Sequence, residues 1–315
     1  MKRAVFFSLI CLWTFNSLTF ASSANTIEIS DVPSVQSISS TAAAAVKQES
    51  WYEHLQETWP GHPQRQKLGH GTFGTVYLVF DPKRKRSYAK KSIPLVDYVD
   101  HETEVMRLLP SHPNMVRLVA SYADKTHHHL ILEYCPGGVL KNKIDGTFGM
   151  PEDQTRFYLA QVVSAMREMQ IRRIAYRDLK LNNIMLDAKG RVKLVDFGLA
   201  MPMLKDSLGK FFPCDHLAPE LIKGPSHNET CDLWSLGLLA FEMLTNYRPE
   251  RFSALHATAS QLSPAAKDFI AKLVQVVPHE RLGAHDFSQV QSHIFFQGVD
   301  WQRVPYMTWE EFVQG

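Results

Sequence analysis

Tyr176-Arg177-Asp178-Leu179-Lys180-Leu181-Asn182-Asn183 and, shortly after it, Asp196-Phe197-Gly198 bring a candidate base, a cationic side chain and two oxygen ligands for metal into one short span. Phosphoryl transfer asks side chains for little else, because its loose transition state is stabilised mostly by positioning and by cations on the phosphate oxygens. Asp178 suits the orientation of an attacking hydroxyl and the acceptance of its proton. Asn183 and Asp196 suit magnesium, a hard ion that dehydrates reluctantly and prefers oxygen donors.

Upstream, Leu68-Gly69-His70-Gly71-Thr72-Phe73-Gly74-Thr75-Val76 is a glycine-rich string flanked by β-prone residues. Alone it is a weak signal, since glycine also serves ordinary tight turns. Tyr88-Ala89-Lys90-Lys91 follows at hairpin distance, and strand alternation sends Lys90 and Lys91 to opposite faces. From Asp100 to Leu109 apolar positions recur at helical spacing, with Met106 and Leu109 on the face of Glu102. Leu130-Ile131-Leu132-Glu133-Tyr134 reads as a buried strand that runs into the turn Cys135-Pro136-Gly137-Gly138. His127-His128-His129 reads as a polar turn entering that strand. Consecutive strand residues point to alternate faces, so one shared metal ion is awkward there. Further on stand Leu217-Ala218-Pro219-Glu220, Asp232-Leu233-Trp234-Ser235-Leu236-Gly237 at the start of an apolar helix, and His279-Glu280-Arg281-Leu282-Gly283.

In this order the segments resemble a eukaryotic-type protein kinase of the serine/threonine class. The resemblance implies an α+β, two-lobed fold over residues 62–297, with a small β-rich lobe at 62–134, a larger helical lobe at 135–297 and a tail at 298–315. It implies ATP and magnesium as cofactors, and a serine or threonine hydroxyl of a protein as acceptor. By the same resemblance Asp178 is the catalytic base, Lys180 steadies the transferring group, and Asn183 and Asp196 bind metal. Lys91 grips the nucleotide phosphates with Glu102 as its partner, Glu104 being the second choice. The nucleotide is expected against Leu68, Gly69, Gly71, Gly74 and Val76 of the loop, between Ala89 and Met185, beside Leu132 as gatekeeper, and on the backbones of Glu133 and Cys135. Arg281 resembles the arginine that pairs with Glu220.

Several positions depart from the family pattern. Tyr176 replaces the commoner histidine, a change familiar in the branch of serine/threonine kinases that also favours the ending Asp300-Trp301, and Lys180 is the residue of serine/threonine kinases. Val139 and Asn182 stand where cyclic-nucleotide-type kinases carry an acid, so no basic substrate motif is expected. Pro213 occupies the place of the usual docking threonine, and Gly209 that of the usual phosphosite. Between Gly198 and Ala218 the only hydroxyl is Ser207. Either Ser207 takes a phosphate near Arg177, or Asp206 or Asp215 satisfies Arg177 without one. Two other readings of the chain stay open: a pseudokinase serving as a nucleotide-binding scaffold, and an atypical transferase with a non-protein acceptor.

At 315 residues and a formal net charge of +2, the chain can bury a large core and gives no case for nucleic acid as a partner. Acceptor protein and oligomeric state are not legible. Lys2-Arg3 precede an apolar run from Ala4 to Phe20 and small residues up to Ala24, the layout of a secretory signal over residues 1–24. An uncleaved signal anchor is the rival, and would be the one route to a membrane. Residues 25–50 read as a flexible Ser/Ala-rich spacer. With Cys11 removed in a signal, Cys135, Cys214 and Cys231 give no disulfide framework. The expected destination is the secretory pathway or, as in exported kinases of some parasites, a host cell or vacuole.

Overall fold

Apolar alternation along Gly74–Asp81 and Arg86–Pro94 gives each strand two faces, and in the computed structural model both faces find a use. The structure describes residues 52, 54–58, 62, 64–71, 74–96, 101–144, 149–203, 218–223, 229–247 and 262–314. The amino-terminal region is a sheet of β1 (Lys67–Gly71), β2 (Gly74–Asp81), β3 (Arg86–Pro94), β4 (Leu118–Ala123) and β5 (His127–Glu133), ordered β1-β2-β3-β5-β4. All of its neighbours are antiparallel. Helix α1 (His101–Leu108) crosses between β3 and β4 in the chain and buries Glu102, Val105 and Met106 while exposing Glu104.

The inner face of the sheet carries Ala89, Lys91, Leu130 and Leu132 toward the main core. On the outer face Val79, Tyr88 and Ile131 form a second, smaller core, on which Tyr52 and Leu55 pack. Gly74 has φ +141°, and a Cβ there would lie 2.3 Å from the carbonyl oxygen of Ser92, so the loop glycine allows β2 to turn tightly over β3.

His127, His128 and His129 depart from the turn expected of them: they are the first residues of β5, paired with Pro94, Ile93 and Ser92 of β3. Asp124 makes the turn instead, its Oδ1 accepting from the backbone N–H groups of Thr126 and His127. The histidines therefore alternate as strand residues do. His127 and His129 stack on one face, and His129 is held between Ser92 Oγ and Asp124.

The carboxy-terminal region is helical. The chain passes β6 (Gly138–Val139), α2 (Glu152–Ile171), β7 (Ile174–Ala175), β8 (Ile184–Leu186), β9 (Val192–Leu194) and β10 (Met201–Pro202). It then forms α3 (Pro219–Lys223), α4 (Cys231–Thr245), α5 (Pro264–Leu273), α6 (Ser288–Gln291) and α7 (Trp309–Gln314). Helix α4 is buried along nearly its whole circumference, which is why its sequence is apolar without a polar face. A Cβ on Gly237 would meet Val274 Cγ2 at 2.5 Å, so this glycine sets how closely α4 and α5 approach. The tail returns to α2: Gln161 Nε2 donates to Met307 O at 3.0 Å, and Trp309 and Phe312 meet the ring of Phe157. Among the described residues no helix is long and apolar enough to cross a membrane. The signal and spacer expected over 1–50, with Ser207, Gly209, Pro213 and Cys214, lie outside the described residues.

Candidate active site

Strand β3 delivers Lys91 into the space beneath the sheet, and α1 delivers Glu102 to meet it. Lys91 Nζ donates to both carboxylate oxygens of Glu102, at 2.9 and 2.7 Å, and to Asp196 Oδ1 at 2.9 Å. Lys91 and Glu102 are both buried. Burial penalises the Lys91 ammonium, but the two facing carboxylates more than offset it and hold its pKa above the ordinary lysine value, so the group stays charged. Lys90 turns to the opposite face, where it meets Glu57. Glu102 is thus the glutamate of α1 that meets Lys91, while Glu104 is exposed.

The catalytic-loop segment is ordered from below. Asp232, at the start of α4, accepts from the backbone N–H of Tyr176 at 2.6 Å and of Arg177 at 2.7 Å. Complete burial lifts its carboxyl to about 6 against the pull of those bonds. Tyr176 packs edge-on against Phe197, 5.4 Å between centroids, and its hydroxyl donates to Val195 O. The ring contact ties the catalytic-loop segment directly to Asp196-Phe197-Gly198, and the hydrogen bond fixes the residue just before it. Arg177 and Asp196 hold φ of 66° and 61°, left-handed values that non-glycine residues adopt only where the surroundings impose them.

Asp178 is buried, and Lys180 Nζ donates to both its carboxylate oxygens at 2.8 Å. Asn183 Nδ2 donates to Asp178 Oδ2 at 2.6 Å and to the Asp178 carbonyl at 3.0 Å. The amide nitrogen is thereby committed to Asp178, so the amide oxygen is the atom available to a cation. Arg177, expected to receive a phosphate or a carboxylate, is buried and donates from Nε to Leu199 O at 2.6 Å. Ser207, Asp206 and Asp215 lie outside the described residues.

Between sheet and helical region lies a cleft of about 270 Å³. Every residue expected to contact nucleotide, from Leu68, Gly69 and Gly71 through Val76, Ala89, Leu132, Glu133 and Cys135 to Met185, lines it, together with Lys91, Asn183 and Asp196. Asp178 and Lys180 sit outside its lining, beside Asn183. Cβ atoms on Gly69 and Gly71 would meet nothing within 4 Å, so these glycines border open space rather than packed chain. An apolar cleft with few polar groups, a buried ammonium and two oxygen donors at one end fits a nucleotide with its metal. Val116, Tyr134 and Val195 also line the cleft, and the sequence marked none of them as a contact: Val116 and Val195 are ordinary apolar residues outside the motifs, and Tyr134 ends the strand motif with no chemistry of its own to single it out. Lys193 was missed too. It is buried on β9 and binds the Glu133 carboxylate at 2.9 Å, and a lone strand lysine gives no sign of that.

Comparison with known proteins accords with this geometry. The family model described as Protein kinase domain matches residues 63–296. The chain belongs to that family. The kinase domain is 32% identical over 259 residues to the human cAMP-dependent protein kinase catalytic subunit PRKX, covering 76% of this chain and 72% of the relative. It is 35% identical over 262 residues to human RAC-beta serine/threonine-protein kinase, covering 75% of this chain and 54% of the relative. Protein kinase 3 of Dictyostelium discoideum is 32% identical over 266 residues, which cover 29% of its length. The chain therefore spans about half or less of several of these relatives. Its domain is of the serine/threonine kinase class.

The last element of the site is second-hand support. Arg281, almost fully buried, clasps Glu220 of α3 with Nη1 at 2.6 Å and Nη2 at 2.7 Å, and also reaches Thr230 O and Gln275 O. In the kinase this one guanidinium ties α3, the start of α4 and the end of α5 together. A pair so buried is weak evidence of net stability, but removing either partner strands the other charge.

Proposed function

We propose that this kinase transfers the γ-phosphoryl group of ATP to a serine or threonine hydroxyl of a protein, with the residue roles that follow. The observation that carries the reading is the triple contact of Lys91 with Glu102 and Asp196, which joins sheet, α1 and the metal-binding segment at the floor of the cleft. Magnesium-bound ATP supplies the phosphoryl group and the divalent charge that shields its oxygens. Lys91 orients the phosphates and adds positive charge beside them. Asp196 and the Asn183 amide oxygen are the donors that would hold the metal. The Asp178 carboxylate aligns the acceptor hydroxyl and takes its proton. Lys180, bound to Asp178, puts its positive charge beside the carboxylate that meets the acceptor, where it would oppose the negative charge that builds up in transfer.

Incubating the protein with labelled ATP, magnesium and a protein mixture tests this. Asp178→Asn keeps the shape of the loop and is expected to bind ATP while transfer falls by roughly a thousandfold or more, since alignment and proton transfer act in the transition state. Asp196→Ala is expected to weaken magnesium-dependent ATP binding itself. Wild-type rates in both variants would sink the proposal, and ATP binding without transfer in the wild type would favour a scaffold. The amino-terminal sequence pattern supports a further part of the proposal, entry into the secretory pathway before the kinase acts.

A further inference from the structure

The outer face of the amino-terminal sheet is covered by a segment that precedes the residues matched by the family model. Four separate contacts hold it. Gln56 pairs with Phe80 of β2 through two backbone bonds of 2.8 Å. The ring of Tyr52 stacks flat on Tyr122 of β4, 4.1 Å between centroids. Leu55 packs on the small core of Val79, Tyr88 and Ile131. Glu57 is gripped by two cations, Arg65 Nε at 2.7 Å and Lys90 Nζ.

The place where Glu57 lands gives these contacts a functional direction. Lys90 faces Tyr77 across the β2–β3 ladder, and the guanidinium of Arg65 lies 3.6 Å above the Tyr77 ring. Glu57 therefore clamps the Tyr77–Lys90 pair from outside. The adjacent pair in the ladder is Val76–Lys91, and both of those side chains line the nucleotide cleft on the inside. Because alternate residues face opposite sides, fixing Lys90 on one face fixes the backbone from which Lys91 projects on the other.

We infer that Tyr52 and residues 54–57 form a strap whose Glu57 is a positioning residue for ATP binding, acting through Lys90 and Arg65 on the placement of Lys91 and Val76. The inference rests on the reading of the inner cleft as the ATP site. Glu57 touches neither nucleotide nor acceptor, so its loss acts on the ground state: the cleft binds ATP less well, while the groups that transfer the phosphoryl group stay as they are.

The test uses the full chain. In Glu57→Gln, which keeps the shape and removes the charge, KM and directly titrated Kd for ATP are expected to rise about 3- to 10-fold with kcat within about twofold, the signature of lost uniform binding. Amide hydrogen exchange around Tyr77 and Lys90 is expected to accelerate in the same variant. Exchanging the charges, Glu57→Lys with Lys90→Glu, is expected to bring ATP affinity back toward wild type. A lower thermal midpoint with unchanged ATP affinity would make the strap packing alone and overturn the inference, as would failure of the charge exchange to restore affinity lost in Glu57→Gln. Transfer absent from a wild type that still binds ATP would count against the kinase reading instead, and the Kd and exchange measurements would still judge the strap.

Discussion

Lys91 shows how much of the site depends on single residues. Its ammonium, projecting from β3, meets one carboxylate from α1 and one from the loop after β9, and each answers part of the cost of its burial. Replacing Glu102 by Gln removes one charge and leaves Lys91 its contact with Asp196. Truncating one member of a buried charge pair typically costs ~2–5 kcal/mol, so kcat/KM for ATP is expected to fall roughly 30-fold or more. Glu104→Gln, on the exposed side of the same helix, is expected to leave kcat/KM within about twofold. Steady-state kinetics with ATP varied distinguishes the two, and equal effects would remove Glu102 from its role. The sequence could separate these glutamates because Met106 lies four residues beyond Glu102 and is buried, so helical periodicity pointed inward. It could not reveal Asp232 as the acceptor of two catalytic-loop amides. An aspartate opening an apolar helix looks like an ordinary acidic first turn until the loop folds onto it.

Elements meet at a few polar junctions, and His112 occupies one of them. Its Nδ1 accepts from the backbone N–H of Asn114 at 3.1 Å, which leaves Nε2 to carry the proton toward Ser164 Oγ of α2 at 3.3 Å. A second proton on Nδ1 would break the first bond, and burial already pushes the pKa from 6.5 to about 4. The folded protein thus keeps this ring neutral where the unfolded chain would protonate it. Its contribution to stability is complete above pH 6.5 and is lost as pH falls toward 4. Asp232, lifted to about 6, works in the opposite sense over part of that range, so only a comparison of proteins isolates the histidine. In His112→Gln, which can imitate the neutral ring, the stability gap to wild type is expected to narrow steadily from pH 7 to pH 5 in denaturant unfolding. A gap independent of pH would mean that His112 does not titrate across this range. The three histidines of β5 show why element readings fail where chemistry is unusual. Histidine has little strand preference, and a run of three looks solvated. Pairing with β3 and the turn made by Asp124 overrode that local composition.

On the scale of the whole molecule, the order of motifs along the chain made the family legible, because each motif is weak alone and their spacing is set by one fold. The strap and the returning tail were not legible. Tyr52, Leu55, Trp309 and Phe312 belong to no motif, and their value lies in surfaces that exist only after the sheet and α2 have formed. The amino terminus poses the remaining whole-molecule question, and chemistry makes it sharp. Lys2-Arg3 before the apolar run from Ala4 to Phe20 is the pattern of a chain handed to the secretory machinery, with small residues at Ala21 and Ala24 suited to cleavage. The free thiols of Cys135 and Cys231 are buried, and burial pushes the Cys135 thiol up to about 12, so neither offers a ready thiolate to an oxidising lumen. These two thiols can therefore stay reduced in that compartment. Protein from the native source is expected to begin near residue 22 or 25, and Asn228 of Asn228-Glu229-Thr230 is expected to be open to glycosylation. Amino-terminal sequencing and glycosidase treatment read both outcomes. An intact Met1 on a chain released from membranes by carbonate would refute export, whereas an intact Met1 on a chain that carbonate leaves in the membrane would identify the signal anchor.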